Sequence, residues 1–348
     1  MEDLPDSDPL AGLRIGITYN LKKGLVSEAA DIEAEYDHLD TILAIQAALE
    51  AADCQVTLLE SDRELPDRLK NQPVDIVFNV AEGNSGRGRE AQVPALLSFF
   101  GIPYTGSDET TLCLALDKAL TKRVLATWKI RTPACRVVST AHPGRIRSLS
   151  FPVIVKPNAE GSSKGITDLA VVQNYAALAE QLQRNFRLYG QEMLVESFIR
   201  GREFTVGLLG NGRDLHVFRP MEIIYLDQNN PFSTYNYTVK QNWQQMVRYA
   251  CPATIDPAVE NRLIKDACKI FNRLGCRDFA RIDFRLDEAG CPWFIEINPL
   301  PGLAPGYSDY PMLAEANGMA YPILIQTILR TALKRYAISE VNVHGLSL

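Results

Sequence analysis

Two short triplets, Arg281-Ile-Asp283 and Glu296-Ile-Asn298, constrain the fold of this chain more than any other feature. Each lies in an apolar run that reads as a strand, Phe279 to Arg285 and Trp293 to Asn298, and the intervening Asp287-Glu-Ala-Gly290 reads as a hairpin turn. On a strand of period two, the first and third residues of a triplet face the same side. Paired as a hairpin, the strands bring Arg281, Asp283, Glu296 and Asn298 onto one patch. Two carboxylates and an amide carbonyl are hard oxygen donors of the kind Mg²⁺ accepts, and an arginine beside them suits a phosphate or a developing oxyanion. Either triplet alone is more simply a solvated strand face carrying an Arg–Asp pair. Both together, followed directly by Pro299-Leu-Pro-Gly-Leu303, favour a site.

A second constellation is Phe151-Pro-Val-Ile-Val-Lys156-Pro157, with Asn158-Ala-Glu-Gly-Ser-Ser-Lys-Gly165 after it. A lysine that ends a buried strand needs an anion to offset its desolvation, and the following Gly/Ser loop can turn several backbone N–H groups toward a phosphate. No G-x-x-x-x-G-K-[ST] occurs, so this is not a Walker A loop. On its own, Gly161 to Gly165 is more simply an ordinary hairpin turn; its position after Lys156 is what raises it.

The rest of the pattern surrounds these segments with alternating helices and strands. Strand Leu13 to Tyr19, helix Asp40 to Ala52 and strand Cys54 to Leu59 open a doubly wound sheet, which continues through strand Val74 to Val80, a helix near Ala91 to Phe100 and the strand-turn Gly101 to Gly106. Thr110 to Lys129 reads as one helix carrying Lys118 and Lys122. Short strands follow at Ala134 to Ser139, Pro152 to Lys156 and Leu169 to Val172, then helix 174–188, strands Met193 to Ile199 and Glu203 to Leu209, and a closing helix 312–335. At roughly 150 residues per domain, 348 residues suggest two or three. The expected division is a Rossmann-like substrate domain over 1–106, a central subdomain over 107–200, a C-terminal subdomain over 201–335 and a peripheral tail over 336–348.

Charge and composition remove several function classes. Lys plus Arg number 36 against 42 Asp plus Glu, a net charge of −6, the wrong sign for a general nucleic-acid binder. No apolar run approaches the ~18 residues of a membrane span, and the acidic MEDLPDSDPL start lacks the features of a signal peptide, so a cytoplasmic location is expected. Seven scattered cysteines without a CxxC pair suggest reduced thiols and no zinc site, and the four histidines share no metal spacing. Gly86-Arg-Gly-Arg-Glu-Ala91 formally matches a dinucleotide fingerprint but starts too far after its strand and lacks an acidic ribose partner. Arg87 and Arg89 more simply meet a carboxylate or solvate a loop. Tyr235, Tyr237 and Trp243 around Lys240, next to the polar run Asp227 to Thr234, read as a mobile lid.

With these residues in place, the chain resembles the ATP-grasp superfamily, and within it the D-alanine–D-alanine ligases, from about Leu13 to Ala332. The resemblance rests on Gly101-Ile-Pro-Tyr-Thr-Gly-Ser107, Leu116-Asp-Lys118, Pro152 to Pro157, Glu160-Gly-Ser-Ser163, Val195-Glu196, Gly201 to Val206, Ala280 to Asp283, Glu296 to Asn298 and Pro301-Gly302, in that order. It implies a mixed α/β and α+β chain with an ATP-grasp fold behind a Rossmann-like domain. The implied activity is ATP-dependent joining of a carboxylate to an amine through an acyl phosphate. Carried onto this sequence, Lys118 and Lys156 hold the ATP phosphates while Glu160, Gly161, Ser162 and Ser163 close over them. Glu196, Phe198 and Ile199 line the adenine slot, and Glu203 meets the ribose. Asp283, Glu296 and Asn298 bind two Mg²⁺ ions, which Mn²⁺ can replace. Arg281 and the Gly302 N–H stabilise the oxyanion, and Lys240 reaches the γ-phosphate. The implied partners are small-molecule amino acid or carboxylate substrates, and a homodimer is compatible.

The departures fall in the amino-acid half. The family's Gly-Gly-x-Ser-x-Glu-x-x-Val-Ser segment is replaced by Tyr19-Asn-Leu-Lys-Lys-Gly-Leu-Val-Ser-Glu28, its His-Gly pair by Glu82-Gly83, the aromatic after the lid lysine by Gln241, and its Ser-Pro-Gly stretch by Leu300-Pro301-Gly302. Glu35 or Glu82 is left as amine partner, Glu35 reading equally as an exposed residue at the start of a helix. Ser308 stands where the family has a serine for the acceptor carboxylate, on a loop one residue longer. Three readings follow: a D-alanyl-D-alanine former, a ligase of other amino acids or of an amino acid with a small carboxylate, and a nucleotide-binding protein that has lost ligation.

Overall fold

The opening strand Arg14–Tyr19 lies at the centre of a parallel sheet, with Gln55–Glu60 on one side and Ile76–Asn79 on the other. Its apolar residues Ile15 and Ile17 are fully buried, as a strand covered on both faces requires. The computed structural model describes residues 9–336 except Ala30, 143–145, 147–148, 167–169 and Gln228. The acidic start up to residue 8, the expected strand start at Leu169 and the tail from 337 onward lie outside the described residues. The expected strand at Gly101 to Gly106 is reduced to a single bridge between Tyr104 and Val77.

The helix expected over 110–129 is two helices, Glu109–Leu116 and Lys118–Thr127. Asp117 separates them: its backbone is extended, and its carboxylate accepts from the Leu120 N–H at 2.9 Å and from the Asn158 amide at 2.9 Å. A side chain that caps a helix N-terminus satisfies one of the donors left unpaired there, which is worth about 1 kcal/mol. The break turns Lys118 and Lys122 inward on the first turns of the second helix, where both are buried.

Next comes an antiparallel sheet ordered Cys135–Val138, Met193–Ser197, Val153–Pro157 and Val171–Val172. Helix Tyr175–Tyr189 covers one of its faces, seating Leu178 and Leu182 against Val153, Val155, Met193 and Val195. The third sheet runs Val247–Ala250, Met221–Tyr225, Arg202–Leu209, Phe279–Leu286, Pro292–Asn298, with His216–Val217 beside the third of these. Its inner face packs Phe204, Val206, Ile282 and Phe284 on the apolar stripe Leu263, Ala267, Ile270 and Phe271 of helix Pro257–Leu274.

The single closing helix expected over 312–335 is also divided, into Asp309–Ala316 and Tyr321–Arg335. Between them the chain reverses through Gly318, whose φ of +89° suits a residue without a Cβ. The second helix leaves the third sheet and crosses to the beginning of the chain, where Leu324, Ile325, Ile328 and Leu329 pack with Ile42, Ile45 and Leu49. The Gln326 amide donates to the Ala48 carbonyl at 2.9 Å, and the Arg335 guanidinium donates to the Tyr104 carbonyl and to Asp278, both at 2.8 Å. The N-terminal core therefore includes the C-terminal helix. Dividing the chain at 106 and 200 is our proposal, supported by a new sheet beginning after each point. No helix among the described residues is long and apolar enough to cross a membrane.

Candidate active site

The hairpin forms in the register its periodicity requires. Arg281 pairs with Asn298, Ile282 with Ile297 and Asp283 with Glu296. Ile282 and Ile297 are buried in the core, while the four polar side chains face a cleft against the second sheet. Arg281 grips Asp283 with two bonds, Nε to Oδ1 at 3.0 Å and Nη2 to Oδ2 at 2.9 Å, and reaches Asp309 with Nη1 at 3.2 Å. The Asn298 amide donates to Asp283 at 3.2 Å. Opposite, Lys118 Nζ lies 3.6 Å from the Glu296 carboxylate and donates to the Glu160 carbonyl. Burial would raise the Glu296 pKa, but Lys118, Lys156 and Arg281 outweigh it and bring it down to about 2.

The cleft is two adjoining cavities. The first lies between the second and third sheets and is lined by Lys156, Glu196, Phe198, Glu203, Asp283 and Glu296. Ile199, Ser162 and Ser163 also border it. The second lies against the N-terminal sheet and is lined by Glu35, Glu82, Glu90, Asn298, Gly302 and Ser308. Ser162, Lys240 and Arg281 belong to both, so they stand where the cavities meet. Two cations at the junction, Lys240 and Arg281, beside a carboxylate-rich floor suit a transferred, highly charged group.

Several expected residues have partners within the protein. Glu196, expected at an adenine slot, is buried between Lys122 at 2.9 Å and Lys156 at 3.3 Å. Those two lysines hold its pKa low against the effect of burial, so it neutralises the floor under Lys156. Glu160, expected to close over phosphates, points its carboxylate to Arg89 at 3.1 Å, Lys164 at 3.1 Å and the Gln191 amide at 2.5 Å. Gly161 borders the second cavity rather than the first. Glu35 is not an exposed residue at the start of a helix: it is buried, pairs with Arg89 and accepts from the Gly161 N–H at 2.5 Å. Glu203 accepts from the Tyr225 hydroxyl at 2.7 Å, with Arg285 3.4 Å away. Ser308 accepts from the Ala304 N–H at 3.2 Å. Arg87 and Arg89 both meet carboxylates, Asp117 at 2.5 Å in the first case.

The loop and the lid touch. Ser162 and Ser163 have φ of 48° and 60°, a left-handed conformation that non-glycine residues seldom adopt. The Ser163 hydroxyl donates to the Tyr235 carbonyl at 2.7 Å, and the Tyr235 hydroxyl donates to Asp309 at 3.0 Å. Lys240, on the helix Tyr237–Gln241, has its pKa lowered by burial, with Arg281 and Lys22 acting in the same direction. Asp309, Lys122, Arg285 and Glu90 were not singled out from the sequence as site residues. Lys122 had a signal, its position one helical turn after Lys118; Asp309 had none, because only the tertiary fold brings it beside Arg281.

The family model described as D-ala D-ala ligase C-terminus matches residues 136–330. The chain is 33% identical over 294 residues to the D-alanine–D-alanine ligase of Bordetella avium (strain 197N), covering 83% of this chain and 87% of that one. It is 34% identical over 301 residues to the uncharacterized protein y4sG of Sinorhizobium fredii (strain NBRC 101917 / NGR234), covering 84% and 87%. The crystal structure of the D-alanine–D-alanine ligase from Bacillus anthracis complexed with ATP has a TM-score of 0.74 at 21% identity, covering 94% of this chain and 99% of that one.

Proposed function

Since the chain belongs to the D-alanine–D-alanine ligase family, with the ATP-grasp fold and the ATP-dependent, ADP-forming ligase activity of that family, we propose how its own residues divide the work. The first cavity takes ATP and the second takes the amino acids, and the γ-phosphoryl group passes at the junction of Ser162, Lys240 and Arg281. That shared junction is the observation that carries the reading. A free carboxylate resists attack by an amine. Transfer of the phosphoryl group to a substrate carboxylate gives ADP and an acyl phosphate; attack by the second substrate's neutral amine then expels inorganic phosphate and leaves the amide.

Lys156 and Lys118 attract the polyphosphate, while Glu196 and Glu296 keep the lysines in place between substrates. Arg281 donates toward the oxygen that gains charge when the amine attacks, joined by the Gly302 N–H from the far side of the junction. A Cβ at Gly302 would lie 2.8 Å from the Ser308 hydroxyl, so a larger residue there requires Ser308 to shift. Tyr235, on the lid with Lys240, meets the Ser162–Ser163 loop, and the closed lid excludes water from the acyl phosphate.

The adjacent pair Asp283 and Glu296, with the Asn298 carbonyl beside them, is a hard oxygen set that fits divalent magnesium. We propose that these three residues hold Mg²⁺, which would neutralise phosphate charge and polarise the transferred group. A cytoplasmic location suits the free cysteines and the small charged substrates proposed here.

The decisive experiment measures ADP and phosphate release with single amino acids and with pairs, and identifies the product by mass spectrometry. Release that requires D-alanine and yields its dipeptide establishes the narrow activity. Release only with other amino acids keeps the broader ligase and removes that narrow form. Failure of every amino acid and carboxylate to stimulate ATP cleavage would leave a nucleotide-binding protein. For the nucleotide site itself, Lys156→Ala is expected to weaken ATP binding at least tenfold by calorimetry, while Glu196 keeps Lys122 and the fold persists. Unchanged affinity would remove Lys156 from the phosphate site.

A further inference from the structure

One wall of the second cavity brings together three carboxylates: an oxygen from each of Glu35, Glu82 and Glu90 lies within 4.8 Å of the others. Their situations differ. Glu35 is committed within the fold, to Arg89 and to the Gly161 N–H. Arg89 is shared with Glu160, and Glu160 also takes Lys164, so two carboxylates and two cations form a neutral set. Glu82 and Glu90 stand outside it. Neither makes a hydrogen bond or an ion pair with another described residue, and both line the cavity. Glu90 is only 8% exposed. A buried carboxylate without a partner is unfavourable by several kcal/mol, so it takes up a proton or receives a cation from outside. Burial, reinforced by Glu90 and Glu35, holds the Glu82 pKa well above the usual range, and burial with Glu35 nearby brings Glu90 to about 7 in spite of Arg89.

The same cavity also carries cations, Lys22, Lys240 and Arg281, with the carboxylate of Asp37 beside the first two. An α-amino acid aligned across it would place its carboxylate at the cations and its amino group at the glutamates. A single ammonium offsets one of the two unpartnered carboxylates. The Arg89 guanidinium, already adjacent, disfavours a divalent metal ion as the second charge.

We infer that Glu82 and Glu90 receive a second positive charge on the substrate, so that this ligase acts on an amino acid carrying a side-chain ammonium or guanidinium in addition to its α-amino group. The inference rests on the ligase reading above and names its substrate class.

The test compares alanine with lysine, ornithine and 2,3-diaminopropionate, each in both hands, on the full-length protein. ADP release gives kcat/KM for each, and calorimetry with a non-hydrolysable ATP analogue and Mg²⁺ gives binding independently of turnover. One diamino acid is expected to exceed alanine of the same hand at least tenfold in kcat/KM. Glu90→Gln is expected to reduce that ratio at least tenfold, and Glu82→Gln provides a second variant if the first does not fold. Preference for alanine over all the diamino acids, or a ratio that neither variant changes, overturns the inference and leaves the ligase reading intact. Diamino acid binding that depends on Glu90, without ADP release from any substrate, supports the inference while removing the ligase reading. Mg²⁺ or Mn²⁺ binding alone that is lost in Glu90→Gln would make the wall a metal site and overturn it.

Discussion

Glu296→Gln is expected to lower ADP-forming turnover at least a thousandfold while leaving the protein folded. The substitution keeps the shape of the side chain and removes its charge. In the structure that charge lies opposite Asp283, is held down to a pKa of about 2, and faces Lys118 at 3.6 Å. The carboxylate is therefore ionised throughout the working range and available as a metal ligand. A neutral amide is a much weaker ligand for a hard divalent ion, and removing metal-based charge neutralisation from a transferring phosphoryl group has a large effect on rate. The accompanying readout is the Mg²⁺ concentration at half-maximal nucleotide binding, expected to rise at least tenfold. Turnover close to the wild type at low Mg²⁺ would discard the metal assignment. The depressed pKa also gives a signed pH effect: it contributes stability that is complete above the unfolded value near 4.5 and is lost as pH falls through about 2. The variant should flatten that acid limb in thermal unfolding.

Arg281→Ala is expected to act on stability and rate together. Its guanidinium is the shared partner of Asp283 and Asp309, and Asp309 also accepts from the Tyr235 and Tyr249 hydroxyls at 3.0 and 3.1 Å. Truncation leaves two carboxylates in a closed cleft without their counter-charge, a loss of about 3–5 kcal/mol for a buried pair. Loss of an oxyanion donor lowers kcat about 10²–10³-fold. Arg281→Lys separates the two: the charge is retained, but one ammonium cannot reproduce a fork that engages both Asp283 oxygens and Asp309. Most of the stability should return in urea unfolding, and little of the turnover. An alanine variant as stable as the wild type would refute the ion network, and full activity in the lysine variant would refute the geometric role at the oxyanion.

The fold was legible where a local pattern forces a local result. Side chains alternate along a strand regardless of its surroundings, so Arg281, Asp283, Glu296 and Asn298 had to share a face once Asp287 to Gly290 turned the chain. Helix boundaries were less legible, because the breaks at Asp117 and Gly318 interrupt patterns that stay apolar on both sides. Asp117 caps a helix through its own carboxylate and is anchored by Asn158, 41 residues away. A sequence pattern records the first fact weakly and the second not at all.

What the sequence by itself determined is the chemistry available: a strand hairpin with oxygen donors and an arginine on one face, lysines near it in helix and strand, and glutamates at positions 35 and 82. The tertiary structure alone decided the partnerships. It placed Glu196 between Lys122 and Lys156, gave Glu35 to Arg89, left Glu82 and Glu90 facing a cavity, and sent the last helix back to cover the first sheet. The physical reason is range. Backbone stereochemistry fixes where neighbouring side chains point over a few residues, whereas charge pairing and burial are settled by contacts between segments far apart in the chain, whose approach depends on the packing of the whole molecule.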